Sequence, residues 1–351
     1  MKKCIAYLMA LSLAAFPIAA QAEELKYDDD SFENFTALSL TASPAVQFEV
    51  DGTGVYALDS ISFYLLQETK EDVVVAPDGA PANTFAAETS ALFPVTVQIW
   101  TLVPGSSEEN PEYVKGDSID ADFTVEKEGW YSLDLTDDPT DPKIVFTDSI
   151  RIVISPKEAV STPDSSTSSL KLGIDSTSSM PFGQSYTYDL TVDPPSASPA
   201  PALNHGIRAN VHFVPTHTCQ GFLPPLNRTV TMKQGGRTLP LKAKLFDADG
   251  APLTARRLAS PPLVELLYTP STGPTEDVTD KVAPAGKSNK GQAFRNGGRG
   301  MWMYNLKTRK DLLPGSYLVL MVSEDVTKYV IEPGCTATFV IEAPVTKKGK
   351  K

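Results

Sequence analysis

Val95-Thr96-Val97-Gln98-Ile99-Trp100 decides the fold class of this chain. Apolar and polar residues alternate along it. Val95, Val97 and Ile99 therefore share one face of a strand and line a core, and Trp100 falls on the other face. The same period runs through the first half of the sequence. Ala45-Val46-Gln47-Phe48-Glu49-Val50 alternates and is followed by the turn residues Asp51-Gly52-Thr53-Gly54. Residues 58–66 place Ile61, Phe63 and Leu65 on one face, and residues 129–135, 149–154 and 169–174 read as further strands. Gly, Pro, Asn and Asp separate these runs, and no 3.6-residue period appears beyond residue 22. This spacing predicts an antiparallel β-sandwich.

The second half repeats the theme. Leu239-Pro240-Leu241-Lys242-Ala243-Lys244-Leu245-Phe246 alternates apolar and cationic residues, then turns at Asp247-Ala248-Asp249-Gly250. Residues 229–232, 263–268, 301–306, 316–322 and 336–341 are the other predicted strands. Gly297-Gly298-Arg299-Gly300 after Asn296 lacks the Lys-Ser/Thr end of a phosphate loop and is read as a tight turn between strands.

The start of the chain predicts export. Lys2 and Lys3 precede an apolar run from Ile5 to Ala20, and Ala20-Gln21-Ala22 is a small-x-small cleavage site ahead of Glu23-Glu24. Residues 1–22 are thus expected to be a signal peptide. The run is short for a membrane span, and no later segment is apolar enough for one, so no transmembrane anchor is expected. Cys4 lies within the leader rather than directly after a cleavage site, which makes it unsuited to a lipid anchor.

Residues 23–351 are enough for about two domains. The overall charge of −12 is divided unevenly between the halves. Residues 23–200 hold 32 Asp and Glu against 8 Lys and Arg, whereas residues 201–351 hold 11 against 21. The sign changes next to Asp193-Pro194-Pro195-Ser196-Ala197-Ser198-Pro199-Ala200-Pro201, which reads as a semi-stiff linker. The expected organisation is an acidic sandwich over 23–192, a linker over 193–209, a basic sandwich over 210–344 and a Lys-rich tail over 345–351. The simplest reading of the charges is solvation of each surface; attraction between the two units is the sharper one.

The first unit resembles the jelly-roll modules attached to secreted bacterial proteins. The likeness rests on Leu25-Lys26-Tyr27-Asp28-Asp29-Asp30, the Val95 to Trp100 strand, Glu128-Gly129-Trp130-Tyr131-Ser132-Leu133-Asp134-Leu135, Leu172-Gly173-Ile174-Asp175 and Gly183-Gln184-Ser185-Tyr186-Thr187-Tyr188. It implies an accessory, stabilising or sugar-binding role. The second unit resembles the immunoglobulin-like module named for its Pro-x-Lys-Phe strand. Matching positions include Gly221-Phe222-Leu223-Pro224-Pro225, Leu239-Pro240-Leu241-Lys242, Asp249-Gly250, Tyr304-Asn305-Leu306-Lys307-Thr308, Pro314-Gly315-Ser316-Tyr317 and Thr338-Phe339-Val340-Ile341. Ala243 departs from the aromatic or branched residue usual after the lysine. This likeness implies presentation or spacing rather than chemistry.

Once the leader is removed, Cys219 and Cys335 remain, and in an oxidising compartment they are expected to form a disulfide. His205, His212 and His217 are seven and five residues apart, a spacing that matches no zinc signature. No Gly-x-Ser-x-Gly appears, and the clustered histidines argue against a hydrolytic triad. The acidic half has carboxylates enough for a glycosidase pair, although a solvated acidic surface explains them more simply. Asp28, Asp29 and Asp30, and Asp137, Asp138 and Asp141, carry hard oxygens of the kind calcium takes, but neither group has the spacing of a calcium loop. Among Trp100, Trp130 and Trp302, core burial is the default, and alternation makes Trp100 the candidate ligand surface. The expected function is a non-enzymatic binding or structural protein of the envelope or extracellular space. Its partner is unknown, with a glycan or an envelope protein expected and no nucleic acid. The alternatives are a carbohydrate-binding accessory protein and a hydrolase with an unrecognised carboxylate pair.

Overall fold

The computed structural model describes residues 22–28, 30, 32–50, 54–68, 91–103, 112–136, 143–157, 169–176, 185–192, 195–200, 203–234, 237–270, 272–309 and 312–343. The expected leader except Ala22, and the Lys-rich tail, lie outside them. Among the described residues the chain is all β, with four sheets and one short 3-10 turn at Thr279–Lys281.

The first unit contains fourteen strands: β1 (Glu23–Leu25), β2 (Asn34–Ala37), β3 (Ser43–Glu49), β4 (Val55–Glu68), β5 (Ala91–Leu102), β6 (Tyr113–Val125), β7 (Gly129–Asp134), β8 (Val145–Phe146), β9 (Ser149–Pro156), β10 (Ser169–Asp175), β11 (Ser185–Asp189), β12 (Ser196–Pro199), β13 (Asn204–His205) and β14 (Ile207–Val214). One sheet runs β1-β14-β4-β10-β13, with β2 on β10 and with β7 and β8 on β4; the other runs β12-β11-β3-β9-β5-β6. The core lies between them. Ile61, Phe63 and Leu65 from β4 meet Val95, Val97 and Ile99 from β5 and Ile150, Ile152 and Ile154 from β9. Period-two alternation puts these residues inward, as the sequence predicts.

The second unit contains β15 (Thr216–Phe222), β16 (Val230–Lys233), β17 (Thr238–Phe246), β18 (Leu263–Thr269), β19 (Glu276–Asp277), β20 (Arg295–Gly298), β21 (Met301–Lys307), β22 (Gly315–Val322), β23 (Val330–Ile331) and β24 (Cys335–Glu342). Its sheets are β20-β21-β17-β15-β23 and β16-β24-β22-β18-β19. Leu239, Leu241, Ala243 and Leu245 of β17 face the core, while Lys242 and Lys244 are exposed. Ala243 stands opposite Trp302 in β21 and Phe222 in β15, so large rings on both sides fill the volume that a larger residue would occupy. The glycine-rich stretch is a turn between β20 and β21. Gly298 (φ 85°) and Gly300 (φ 72°) take left-handed conformations there without strain, on either side of Arg299 (φ 53°).

The expected linker is corrected. Of residues 193–209, the described ones include β12, β13 and the start of β14. β12 pairs with β11, β13 with β10, and β14 runs along β4 from Ile207↔Phe63 to Val214↔Val55. The expected start of the second unit at 210 moves accordingly: β14 ends at Val214, and Pro215 alone separates it from β15. Proline-rich composition reads as a spacer, but at a sheet edge Pro199 loses nothing by lacking an N–H. Ile207, Ala209 and Val211 alternate into the core and are fully buried, which is what binds this stretch to the first unit. The strand β6 goes unread in the sequence because Asp117, Asp120 and Asp122 obscure its alternation. Those exposed charges suit its place as the edge strand of its sheet among the described residues.

Candidate functional site

Cys219 on β15 and Cys335 at the start of β24 are disulfide-bonded, with Cα atoms 5.3 Å apart. Since β15 and β24 belong to different sheets, the bridge staples the two layers of the second sandwich. The separation lies within the usual range for such a bond.

Trp100 is corrected as a ligand surface. It does lie on the face opposite Val95, Val97 and Ile99, yet it is only 5 % exposed, within a second cluster on that outer face. Tyr188 lies 5.1 Å from it, ring to ring. Beside it the Arg151 guanidinium is sandwiched between Tyr113 and Tyr186, at 3.9 and 3.8 Å from their ring centres. Arg151 also donates to Gln47 Oε1 at 2.9 Å and to the Tyr188 hydroxyl at 3.0 Å. Burial pushes the pKa of Tyr188 up, against the opposing pull of Arg151. An outward strand position thus becomes interior because the neighbouring side chains cover it.

Among the described residues, a partly exposed aromatic cluster of the first unit lies elsewhere, on the outer face of β4, β7 and β10. Phe32 stacks on Tyr64 at 4.1 Å, and Trp130 meets both edge-on, at 5.6 and 5.4 Å. Tyr64 and Trp130 are directly opposed in the β4–β7 ladder. Gly173 and Gly206 allow this close approach: a Cβ on either would come within 2.9 Å of both Tyr64 and Phe32. The Tyr64 hydroxyl donates to Glu128 at 2.7 Å, and this bond is the main reason its pKa is pushed up to about 12. The sequence carried the signal, since Tyr64 lies between inward Phe63 and Leu65 and so points outward.

Arg208 of β14 anchors one border of this surface. Its guanidinium lies 4.0 Å over the Trp130 ring and bonds Asp28 through Nε (3.0 Å) and Nη2, with a further Nη2 contact to Asp30. Burial alone would lower the Arg208 pKa, but the bonds to Asp28 and Asp30 outweigh it and raise it. The same hydrogen bond, with help from Lys26, holds Asp30 below the usual carboxylate range. Asp28 and Asp30, expected as calcium candidates, are thus engaged by a cation of the chain itself. Asp29, Asp137, Asp138 and Asp141 lie outside the described residues. Among the described residues, no group of three or more His, Cys, Asp or Glu is placed to hold a metal.

The three histidines occupy three separate environments. His205 on β13 is buried, neither ring nitrogen makes a well-formed hydrogen bond, and burial pushes its pKa down to about 4. His217 on β15 packs against Tyr329 at 5.6 Å, and burial lowers its pKa as well. His212 on β14 stands at the junction of the units. Its Nδ1 lies 2.8 and 2.9 Å from the carboxylate oxygens of Asp59, and its Nε2 lies 2.8 Å from the Thr327 carbonyl of the second unit. A cleft of about 290 Å³ opens beside it, lined by Leu58, Leu135, Lys143, Asp325 and Lys328 among others. No protein-family model matches this chain, and no curated protein matches it.

Proposed function

We propose that this chain is an exported, non-enzymatic protein of the envelope or extracellular space that presents one β-sandwich on another. The observation that carries the reading is the junction. β14 of the first unit passes into β15 of the second through Pro215 alone, and His212 spans the seam to Thr327. A one-residue connection of this kind transmits orientation, whereas a flexible linker would not. The leader-like residues 1–22 and the Cys219–Cys335 disulfide support export to an oxidising compartment. The resemblance of the second unit to the Pro-x-Lys-Phe module agrees with presentation or spacing. Small-angle scattering from the protein beginning at Glu23 is expected to fit one rigid two-lobed particle. A profile that requires freely reorienting lobes would overturn the reading, and so would turnover of any member of a glycoside and ester panel.

The half-exposed rings of Phe32, Tyr64 and Trp130 favour a second reading, carbohydrate binding by stacking. A glycan array should then show a signal that Trp130→Ala abolishes and Trp100→Phe preserves. A blank array with folded protein would leave the spacing role alone.

A further inference from the structure

We infer that His212 is a proton-operated latch between the two sandwiches, closed when the imidazole is charged and released when it is neutral. The inference rests on the presentation reading above and concerns how the stiffness of the junction is controlled. Both ring nitrogens face groups that can only accept. Nδ1 meets the two carboxylate oxygens of Asp59 in β4, and Nε2 meets a backbone carbonyl. Satisfying both contacts requires a hydrogen on each nitrogen, which only the imidazolium has. A neutral ring must aim a lone pair either at the Asp59 carboxylate or at the Thr327 carbonyl. Keeping the proton on Nδ1 preserves the contact within the first unit and sacrifices the one across the seam.

The acceptor across the seam is itself held in place. The Asp325 carboxylate accepts from the Thr327 N–H at 3.0 Å and from its hydroxyl at 2.6 Å, and Ser323 donates to the Asp325 carbonyl at 2.7 Å. Lys328 pairs with Asp325 at 3.2 Å. Among the described residues, the charged groups around His212 are Asp59 on β4, Lys143 before β8, and Asp325 and Lys328 in the β22–β23 connection. β1, on the other flank of β14, adds Glu23 opposite Val211. Asp59 is the one in direct contact. Histidine as a residue type changes charge between about pH 5 and 8, the range the test below spans. Beside the latch, the 290 Å³ cleft provides the space that opening would enlarge.

Amide hydrogen exchange of the full mature chain at pH 5.5 and 8.0, normalised to the unfolded chain at each pH, tests the latch on the segment 323–329. In the native chain, protection should fall by about tenfold or more between the two conditions, the loss of one charge-assisted hydrogen bond. His212→Ala should be weakly protected at both. Asp59→Asn distinguishes a latch from a merely structural contact. The Asn amide can donate to Nδ1 of a neutral ring, leaving Nε2–H to hold Thr327, so protection should persist at both pH values. A native chain equally protected at both, or an Asp59→Asn chain as pH-dependent as the native one, would overturn the latch. Its failure with a rigid scattering profile leaves presentation standing, whereas freely reorienting lobes at both pH values would overturn presentation itself.

Discussion

Trp100 and Trp130 exchange the roles expected of them, Trp100 the exposed ring and Trp130 by default a core one. Trp100 points away from the main core but is enclosed by Tyr188, Tyr113 and Tyr186, while Trp130, in a strand read as core, remains half exposed. Trp100→Ala should therefore destabilise the first unit by about 3–5 kcal/mol, as a large buried ring does, in urea unfolding followed by tryptophan fluorescence. A variant of native stability would restore Trp100 to the surface. His205 makes a second prediction at this scale. Its pKa in the folded chain is about 4, below the ordinary 6.5, because burial disfavours the charged ring. Above pH 6.5 both folded and unfolded chains hold it neutral, so it has no effect there. As pH falls from 6.5 toward 4, the unfolded chain takes up a proton that the folded one refuses, and stability drops by about 3 kcal/mol in all. His205→Gln should flatten that acid slope; an unchanged slope would assign it to other groups.

Among the elements, the tie between the amino-terminal segment and β14 is the most consequential. β1 pairs with β14, and a few residues later Asp28 and Asp30 reach Arg208 on the same strand. Asp28 is completely buried, so Arg208→Met would leave it without its counter-charge. Loss of one partner of a buried pair typically costs about 3–5 kcal/mol. The double variant Arg208→Met with Asp28→Leu should recover most of that loss in the same unfolding assay. If the single change costs less than about 1 kcal/mol, the pair is not what holds this segment down. The strands themselves were largely legible in the sequence. β4, β5, β9 and β17 follow from period-two alternation, a local property of the chain. β6 was not, because its Asp residues are poor strand formers that an edge position tolerates. β14 was not either, because a proline-rich approach outweighed the alternation of Ile207, Ala209 and Val211.

At the scale of the whole molecule, the disulfide divides the stability of the two units. Cys219 and Cys335 are 116 positions apart, and closing a loop of that order is worth about 4.7 kcal/mol by the chain-entropy argument. Reduction should shift one calorimetric transition, that of the second sandwich, and leave the other in place. Two transitions moving together would mean that the units unfold as one. With so few cysteines the pairing was readable directly, as were the all-β class and the inward faces of the main strands. Each depends on composition or on neighbours within a few residues. Tertiary structure alone decided the boundary at Pro215, the covering of Trp100, the partner of Asp28 and the bridge at His212. Arg208 meets Asp28 across 180 residues, and His212 meets Asp59 and Thr327 across 153 and 115. Such contacts are set by which strands pair and which side chains the sheets bring together, and no local period in the chain records that choice.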